Sequence, residues 1–352
     1  MWVGRLEVWD LRNLREALLE LSPGLNLFVG RNAQGKTSLL EAVALLARGR
    51  SFRTDLTSSL IRRGAERLEA RGRALGGQRE VALEVEVTTL QRRLRVDGRE
   101  VAPAEYQGRL EAVVYSTDRL RVISGPMRER RSFLDRAGAA LWPAYRQALR
   151  DFERVLRQRN AALETQGRDL ETWDERFAAL GAGLRRRRAA YAQKLQEALR
   201  RGFRPAGEMY EIAACPQVGL AAADEMRQQM RERRPAELQA RRSLVGPHRD
   251  PVHLRVDGEE AASWGSSGQA RSLLLALALA ALEVYRNERG EAAVALLDDL
   301  DSELDEERAS ALCRQVALQG QALVTTAHPG WARRLAPTAR LFEVEGGQVQ
   351  AT

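Results

Sequence analysis

Gly30-Arg31-Asn32-Ala33-Gln34-Gly35-Lys36-Thr37 is the stretch of this chain that decides its fold class. It matches the phosphate-loop pattern G-x-x-x-x-G-K-[ST] at every fixed position. The apolar run Leu25–Val29 precedes it and predicts a strand, and Lys36–Ala47 follows with apolar residues at helical spacing. A strand, a glycine-rich loop and a helix in this order predict a site for the phosphates of a nucleotide.

The residue types of this loop fit that chemistry. Its glycines permit a tight turn in which backbone N–H groups wrap a phosphate. We expect Lys36 to reach the β- and γ-phosphates of ATP, and the Thr37 hydroxyl to bind Mg²⁺. The alternative is a glycine turn before a helix that binds nothing. The predicted ATP-binding residues are Gly30, Arg31, Asn32, Ala33, Gln34, Gly35, Lys36, Thr37 and Ser38.

Lysine usage points to the same loop. Lys36 and Lys194 are the only lysines among the 56 basic residues. Because arginine supplies nearly every other positive charge, a remaining lysine is expected where a compact ammonium is needed and a planar guanidinium does not fit. This observation favours a specific role for Lys36.

Two acids and a histidine follow predicted strands near the end of the chain. Asp298 and Asp299 come directly after the apolar run Val294–Leu297. We predict that Asp298 is a catalytic residue that holds Mg²⁺ and that Asp299 polarises an attacking water. His328 follows the apolar run Ala322–Thr326, and we predict that it contacts the γ-phosphate or the water. An acidic helix cap and an ordinary loop histidine are the alternatives.

A second glycine-containing stretch, Gly265-Ser266-Ser267-Gly268-Gln269, precedes an apolar helix predicted over Gly268–Tyr285. Small residues at a helix start form an anion site, or merely cap the helix. Because the phosphate loop can make all the phosphate contacts of its own nucleotide, we predict that this stretch contacts ATP held by another copy. The residues predicted to act in trans are Ser266, Ser267, Gly268 and Gln269.

The overall composition favours an anionic partner. Hydrophobic residues make up 44% of the 352 residues, enough for a substantial core, and the net charge is +8. Nucleic acid is a common anionic partner of such proteins. Solvated or ion-paired surfaces are the alternative for each arginine cluster. The candidate DNA-binding arginines are Arg92, Arg93, Arg95 and the run Arg185 to Arg188.

Other features concern the cellular compartment. The N-terminus has no basic-then-apolar stretch, and the longest apolar run, Leu273–Tyr285, is shorter than the roughly 20 residues of a membrane-spanning helix. Cys215 and Cys313, the only cysteines, indicate neither a disulfide framework nor a metal cluster. We expect a cytoplasmic protein with no membrane partner.

Strand and helix patterns alternate at both ends of the chain, which predicts an α/β fold. Strict alternation over Val81–Val87 predicts a half-buried strand, and Asp97-Gly98 predicts a hairpin turn. Charged helical patterns fill the middle. We predict one half of a head domain over residues 1–125, a helical arm over 126–242, and the other half of the head over 243–352.

Together, these motifs resemble the RecF family of bacterial recombination mediators, within the ABC-type and SMC-like ATPases. About 230 residues separate Lys36 from Ser266, as in the DNA-repair branch of that class. The likeness covers nearly the whole chain. The other stretches that carry it are Gly125–Asp135, Gly246-Pro247-His248-Arg249-Asp250 and Ser302-Glu303-Leu304-Asp305.

The resemblance implies an ABC-type ATPase head with a mixed sheet and a mostly helical inserted arm. It implies a homodimer that forms on binding ATP and Mg²⁺, binds double-stranded DNA and single-strand/double-strand junctions, and hydrolyses ATP weakly when DNA stimulates it. It further implies action with RecR and RecO in loading recombinase during repair, recombination and replication. By this likeness, Asp305 supports the seam between copies, His328 senses the γ-phosphate, and Ser116 to Asp118 is the glutamine-loop region.

Two residues depart from the family pattern. Ala270 stands where a second glutamine is frequent, so the side-chain contacts expected just after Gln269 differ from the family pattern. Asp299 stands where many ABC ATPases have glutamate, and from this shorter base we expect slow turnover. The alternatives are an ABC transporter ATPase subunit, a nucleotide kinase and a chromosome-organising SMC-like ATPase. The wide motif spacing, the Ser266–Gln269 stretch and the lack of long heptad repeats favour the repair mediator.

Overall fold

A computed structural model describes the chain in two compact units, Met1–Arg119 with Tyr285–Thr352, and Leu120–Val284. The strands are β1 (Trp2–Leu11), β2 (Leu14–Glu20), β3 (Leu25–Val29), β4 (Arg67–Gly76), β5 (Arg79–Thr88), β6 (Arg92–Val96), β7 (Arg99–Glu100), β8 (Ala112–Tyr115), β9 (Tyr210–Ala214), β10 (Val252–Val256), β11 (Glu259–Glu260), β12 (Val294–Leu297), β13 (Ala322–Thr326), β14 (Ala339–Glu345) and β15 (Gln348–Ala351). The helices are α1 (Lys36–Arg48), α2 (Pro103–Tyr106), α3 (Arg121–Ser124), α4 (Met127–Leu141), α5 (Pro143–Glu164), α6 (Leu170–Arg201), α7 (Ala222–Ala240), α8 (Ala261–Trp264), α9 (Ser267–Arg289), α10 (Glu306–Gln319) and α11 (Pro329–Leu335). The structure describes all residues except 55, 78, 166–169, 205–206, 215–221, 265, 301–303 and 305.

In the first unit, α1 lies between two six-stranded sheets. One sheet is antiparallel, with the order β2-β1-β4-β5-β6-β7. The other has the order β15-β14-β3-β13-β12-β8 and is parallel except for its edge strand β15. Helix α1 contacts strands of both sheets. Residues 38–47 are all buried, which explains why α1 is apolar around its whole circumference.

One buried charge interrupts that apolar helix. Glu41 is fully buried, and both of its carboxylate oxygens accept hydrogen bonds from the Arg12 guanidinium at 3.0 Å. The Ser51 hydroxyl donates to the same carboxylate. Because a buried charge is tolerated only when it is paired and hydrogen-bonded, these contacts fix the turn after β1 against α1.

The mixed sheet brings the predicted motifs to one edge. Strands β3, β13, β12 and β8 are parallel neighbours, so their carboxyl ends lie at the same side of the sheet. Ligands of open α/β sheets bind at this side. The residues that follow these four strands begin at Gly30, Ala327, Asp298 and Ser116.

The second unit is mostly helical and is held together by buried ion pairs. Arg159 on α5 is fully buried and bonds Glu237 of α7 at 2.5 Å and Asp174 of α6 at 2.8 Å. Arg185 and Arg188, also on α6, pair with other carboxylates in the same unit. Each pair joins two different segments of the unit. Because the charges are buried, removing one partner would leave the other uncompensated.

The Gly246–Asp250 stretch packs against α6 in this unit. Asp250 accepts two hydrogen bonds from Arg185, at 2.7 and 2.8 Å, and the Pro247 carbonyl accepts one from Arg188 at 2.8 Å. The His248 ring lies beside the aromatic ring of Phe177. These contacts give the motif a structural role in the second unit.

The α/β fold class with a mixed sheet and helical segments is confirmed. The compact units divide the chain differently from the predicted segments over residues 120–125 and 243–284, which both lie in the helical unit. Residues 243–284 belong there because β10 pairs along its whole length with β9, which follows α6. The hydrophobic pattern alone could not reveal that pairing.

Among the described residues, α9 is long and apolar enough to cross a membrane by length and composition. It is longer than the apolar run in the sequence because polar residues extend the helix at both ends. A buried core helix passes the same test, and residues 273–278 of α9 are all buried. Cys313 is buried on α10, and Cys215 lies outside the described residues.

Candidate nucleotide-binding site

The phosphate loop connects β3 to α1, as predicted. Steric limits explain why glycine occupies positions 30 and 35 of this loop. Gly35 has φ 117°, a conformation that side chains rarely allow. A Cβ atom at Gly30 would lie 2.1 Å from the Val344 carbonyl oxygen. Ala33 adopts φ 64° without being a glycine, so its left-handed conformation must be stabilised by its surroundings.

Lys36 lies over the loop that precedes it. Its ammonium donates to the Gly30 carbonyl at 2.7 Å and to the Arg31 carbonyl at 3.1 Å, and the residue is only 4% exposed. A lysine ammonium presents three donors on a compact head, whereas a guanidinium is a broad planar fork. The geometry therefore accounts for a lysine at this position in an arginine-rich chain.

Asp298 is the centre of a hydroxyl cluster at the carboxyl edge of the sheet. Thr37 donates to Asp298 at 2.9 Å (Oδ1) and 3.2 Å (Oδ2). Ser116 donates to Oδ2 at 3.2 Å, and Thr325 donates to Oδ1 at 2.8 Å. The ends of β8, β12 and β13 and the first turn of α1 thus contribute to one site, and the hydroxyl predicted to bind Mg²⁺ meets the carboxylate predicted to do the same.

The environment of Asp298 changes its acidity. Burial raises the pKa of its carboxyl above that of an ordinary aspartate, and the adjacent Asp299 raises it further. Hydrogen bonds from the three hydroxyl groups act in the opposite direction, because they stabilise the charged form. A buried carboxylate with a raised pKa is a group that a cation would stabilise.

Asp299 and His328 occupy the neighbouring strand ends. The Asp299 N–H donates to the Thr325 hydroxyl at 2.8 Å, and its φ of 47° turns the chain away from the strand direction. Thr325 therefore accepts from Asp299 while it donates to Asp298, which fixes both acids. His328 is exposed and precedes α11, and its N–H donates to the Thr326 hydroxyl at 2.9 Å.

Two side-chain contributions to this site were missed from the sequence. The sequence predicts Ser116 only as part of the Ser116 to Asp118 region, and it predicts no role for Thr325. The available signal was a hydroxyl residue at or just beyond the end of an apolar strand. That signal becomes specific only when the strand order is known, because β8 and β13 reach Asp298 through their pairing with β12.

Ser266 and Gln269 form a capping box in the second unit. The Ser266 hydroxyl accepts from the Gln269 N–H at 3.2 Å, and the Gln269 side chain accepts from the Ser266 N–H at 3.0 Å. Ser266, Ser267 and Gly268 are exposed, and a Cβ at Gly268 would meet nothing closer than 3.8 Å. Gly265, Ser302, Glu303 and Asp305 lie outside the described residues.

The arginines of the first candidate DNA surface, on β6, are engaged within the protein. Arg95 pairs with Glu84 and Glu86, and Arg93 pairs with Glu86 as well. Arg92 donates to the Gly49 carbonyl at 2.6 Å. These contacts favour the alternative of a paired surface for this cluster.

The second candidate run, on α6, is similar. Arg185 and Arg188 are buried in the ion pairs described above, and Arg187 donates to the Gly183 carbonyl at 3.0 Å. Arg186 is exposed. Most of this run therefore stabilises the helical unit and is not available to a DNA phosphate.

Metal-ligand clusters of three or more His, Cys, Asp or Glu side chains are absent from the part of the chain that the structure describes. Thr37 and Asp298 nevertheless offer hard oxygen donors within hydrogen-bond distance of each other. Mg²⁺ is commonly bound by one or two protein oxygens together with substrate phosphates. The donor set fits Mg²⁺ that arrives with a nucleotide.

Comparison with known proteins gives a consistent result. The family model for the RecF/RecN/SMC N-terminal domain matches residues 2–350. A DNA replication and repair protein RecF from Synechococcus sp. (strain JA-3-3Ab) is 35% identical, over 99% of this chain and 97% of its own length. A protein of the same name from Acidothermus cellulolyticus is 37% identical, over 93% of this chain and 94% of its own.

Solved structures agree with the sequence comparison. The recombination mediator protein RecF-ATP of the RecFOR pathway has a TM-score of 0.90 and 26% identity, covering 100% of this chain and 97% of that one. An Smc head domain from Pyrococcus furiosus has a TM-score of 0.60 at 14% identity, covering 100% of this chain and 96% of that one. The second likeness shows the fold alone.

Proposed function

The chain belongs to the RecF family, and on that premise we propose that it is an ATP-dependent DNA-binding protein of recombinational repair and replication. In this proposal, ATP binding joins two copies, and each nucleotide contacts both. The observation that carries the proposal is the 2.9 Å hydrogen bond between Thr37 and Asp298. It brings the end of the phosphate loop and the acid after β12 together at one edge of the sheet.

ATP is proposed to lie against residues Gly30 to Ser38. The loop N–H groups and the N-terminus of α1 favour an anion, and Lys36 adds a full positive charge. Lys36 would exchange its bonds to the Gly30 and Arg31 carbonyls for bonds to phosphate oxygens. The nucleotide-bound relative, which is named RecF-ATP, supports this assignment.

Thr37 and Asp298 would hold Mg²⁺. When bound, Mg²⁺ neutralises charge on the phosphates of the nucleotide. Ser116 and Thr325 orient the Asp298 carboxylate, because each donates a hydrogen bond to it. The hydrogen bonds around Asp298 support the proposal of a cation site here.

Asp299 is proposed as the residue that orients and deprotonates the attacking water, with His328 as a polar contact to the γ-phosphate. Thr325 holds the Asp299 backbone at 2.8 Å, so the position of that carboxylate depends on the adjacent strand. Aspartate is one methylene shorter than glutamate, which favours slow, switch-like hydrolysis. DNA is proposed to stimulate this weak activity.

A second copy is proposed to complete the site with Ser266, Ser267, Gly268, Gln269 and Asp305. The first three residues are exposed. The Ser266 hydroxyl acts as an acceptor within its capping box, so its own hydrogen is not consumed by that bond. It can therefore donate to a phosphate of the nucleotide held by the other copy.

Double-stranded DNA and single-strand/double-strand junctions are the proposed nucleic-acid partners, and RecO and RecR are the proposed protein partners in loading recombinase. The net charge of +8 favours phosphate contacts without sequence readout. We expect DNA affinity to fall steeply with added salt. The protein is proposed to act in the cytoplasm without a membrane partner.

Family membership weighs against the transporter-subunit and nucleotide-kinase alternatives. The SMC-like alternative calls for an extended coiled-coil arm. Here α5 and α6 instead pack with α4 and α7 through buried ion pairs in one compact unit. The arm that the structure describes therefore favours the repair mediator.

The small number of lysines gives a direct test of the nucleotide site. We would label primary amines with and without ATP and Mg²⁺ and measure modification of Lys36 and Lys194 by mass spectrometry. The expected result is strong ATP protection of Lys36 and none of Lys194. Mass measurement by light scattering should show ATP-dependent pairing. Substantial labelling of Lys36 that ATP does not reduce would contradict the site, and nucleotide-independent pairing would contradict the switch.

A further inference from the structure

We infer that Asn13 and the Gly346–Gly347 turn are positioning elements that hold the phosphate loop in its phosphate-binding conformation. This inference rests on the proposed nucleotide site and adds residues outside its motifs. Both elements are hairpin turns of the first unit, one between β1 and β2 and the other between β14 and β15. They reach the loop from two different sheets.

Asn13 bonds the middle of the phosphate loop and the first turn of α1. Its side-chain N–H donates to the Ala33 carbonyl at 3.1 Å, and its side-chain oxygen accepts from the Ser38 hydroxyl at 3.2 Å. One amide therefore ties the middle of the loop to the first turn of α1. Ala33 is the residue held at φ 64°, so the bond stabilises a conformation that alanine disfavours.

The Gly346–Gly347 turn binds Gln34, the next residue of the loop, through two hydrogen bonds. The Gly346 N–H donates to the Gln34 side-chain oxygen at 2.6 Å, and the Gly347 N–H donates to the Gln34 carbonyl at 3.1 Å. Both glycines have positive φ, 56° and 80°, which this tight turn requires. Gln34 is thus held by both its backbone and its side chain.

The two hairpin turns also touch each other, so they enclose the loop together. A Cβ at Gly347 would lie 2.3 Å from the Asn13 carbonyl oxygen. Arg12, next to Asn13, is anchored on α1 through its bonds to Glu41. The Asn13 turn is therefore fixed to α1, the helix that follows the loop. It is also fixed to the Gly346–Gly347 turn, which binds Gln34.

This arrangement is suited to positioning and contributes little to the core. Asn13 is exposed, so replacing it removes two polar contacts and almost no buried apolar surface. A loop that is already in its bound conformation does not lose conformational entropy when ligand binds. Removing Asn13 should therefore weaken nucleotide binding and loosen the loop, with little change in global stability.

The test compares Asn13→Ala with Asn287→Ala, a matched control at an exposed asparagine of α9. We expect Asn13→Ala to weaken ATP about tenfold by calorimetry, as loss of two hydrogen bonds predicts. We also expect faster trypsin cleavage after the exposed Arg31 in nucleotide-free protein, with protection restored by saturating ATP. Melting temperature should stay close to that of the wild type, and Asn287→Ala should change none of these.

Unchanged ATP affinity and unchanged cleavage in Asn13→Ala would overturn the inference while leaving the nucleotide site intact. Absence of ATP binding to the wild type would instead refute the proposed function. If Asn13→Ala does not fold, Gln34→Ala provides the second variant, because it removes the side-chain acceptor of the Gly346 N–H. It is expected to weaken ATP and to expose Arg31 in the same way, and normal values for both would also overturn the inference.

Discussion

Two helices begin at predicted phosphate contacts, and they begin differently. Helix α1 starts after Gly35, a residue with φ 117° and no side chain to cap the helix. Helix α9 starts after Ser266, whose hydroxyl and backbone are both engaged in a capping box with Gln269. No side chain caps the N-terminal N–H groups of α1, whereas at the start of α9 the Ser266 hydroxyl accepts a hydrogen bond from the Gln269 N–H.

This difference indicates that the N-terminus of α1 binds an anion more strongly than the N-terminus of α9. At α1, a phosphate would meet backbone amides together with Lys36, whose Nζ already lies beside the loop. At α9, a phosphate would meet exposed small residues and a hydroxyl that already accepts one bond. We therefore expect α1 to bind nucleotide in a single copy, and α9 to add affinity only when another copy presents a nucleotide.

The largest expected effect comes from the charge at α1. Lys36→Arg should weaken ATP about 100-fold by calorimetry, because a planar guanidinium cannot occupy the place of the ammonium over the Gly30 and Arg31 carbonyls. ATP-dependent pairing should be lost with it. Lys194→Arg, at the other lysine, is the matched control and should bind normally. Normal ATP affinity in Lys36→Arg would remove the basis for calling α1 the primary site.

Asp298→Asn tests whether Asp298 affects ATP affinity through Mg²⁺. It should weaken ATP about 30-fold with Mg²⁺ present and change little in EDTA, because only the metal contact is lost. Measuring the ATP affinity of the wild type and of Asp298→Asn, each with Mg²⁺ and in EDTA, checks this. A similar loss of affinity in EDTA would show that Asp298 acts on the loop and not through Mg²⁺.

The raised pKa of Asp298 predicts the sign of the stability change. Since the folded metal-free protein binds this proton more tightly than the unfolded chain, its contribution to stability is present at low pH. That contribution is lost as pH rises from the ordinary value of 3.8 through the raised pKa. At pH 7.5, Asp298→Asn should therefore raise the melting temperature of metal-free protein. A lower melting temperature would contradict the cost of burying this charge.

Ser266→Ala tests the weaker helix start. Pairing in the presence of ATP should weaken about tenfold, while ATP affinity of the single copy stays unchanged, because α9 is proposed to act only in trans. Loss of the cap should also destabilise α9 by about 1 kcal/mol. Sedimentation with and without ATP measures the first effect, with Ser263→Ala as the control. Weaker ATP binding by the single copy would erase the distinction between the two helices.

The smallest effect concerns the backbone of the loop. Ala33→Gly should strengthen ATP about threefold, because glycine adopts the left-handed conformation of residue 33 without the strain that alanine carries. Calorimetry on the single copy would measure it. A weaker affinity would show that flexibility of the free loop outweighs the relieved strain.

Local patterns predicted the elements that position the site. The strands β3, β12 and β13 have the predicted bounds because each is a short apolar run between turn residues. The Asp97-Gly98 turn has positive φ at both residues, 50° and 76°, as a tight hairpin requires.

The remaining features depend on contacts between distant residues. Asn13 reaches Ala33 only because β1 and α1 pack together, and no local pattern distinguishes it from any other turn asparagine. The arginines of α6 look like a solvated cationic face in sequence. Their carboxylate partners, Asp250 and Asp135, are 65 and 53 residues away. Charge counting could not separate buried pairs from free cations.

The strand order also affects how the protein is made. Strand β3, which leads into the phosphate loop, has β13 and β14 as its two neighbours, and both lie about 300 residues further along the chain. During synthesis, neither edge of β3 can be covered until those residues have been made. A ribosome-bound fragment can form the helical unit earlier, but the mixed sheet closes only after β13 and β14 have emerged, and such long-range pairing is slow and aggregation-prone.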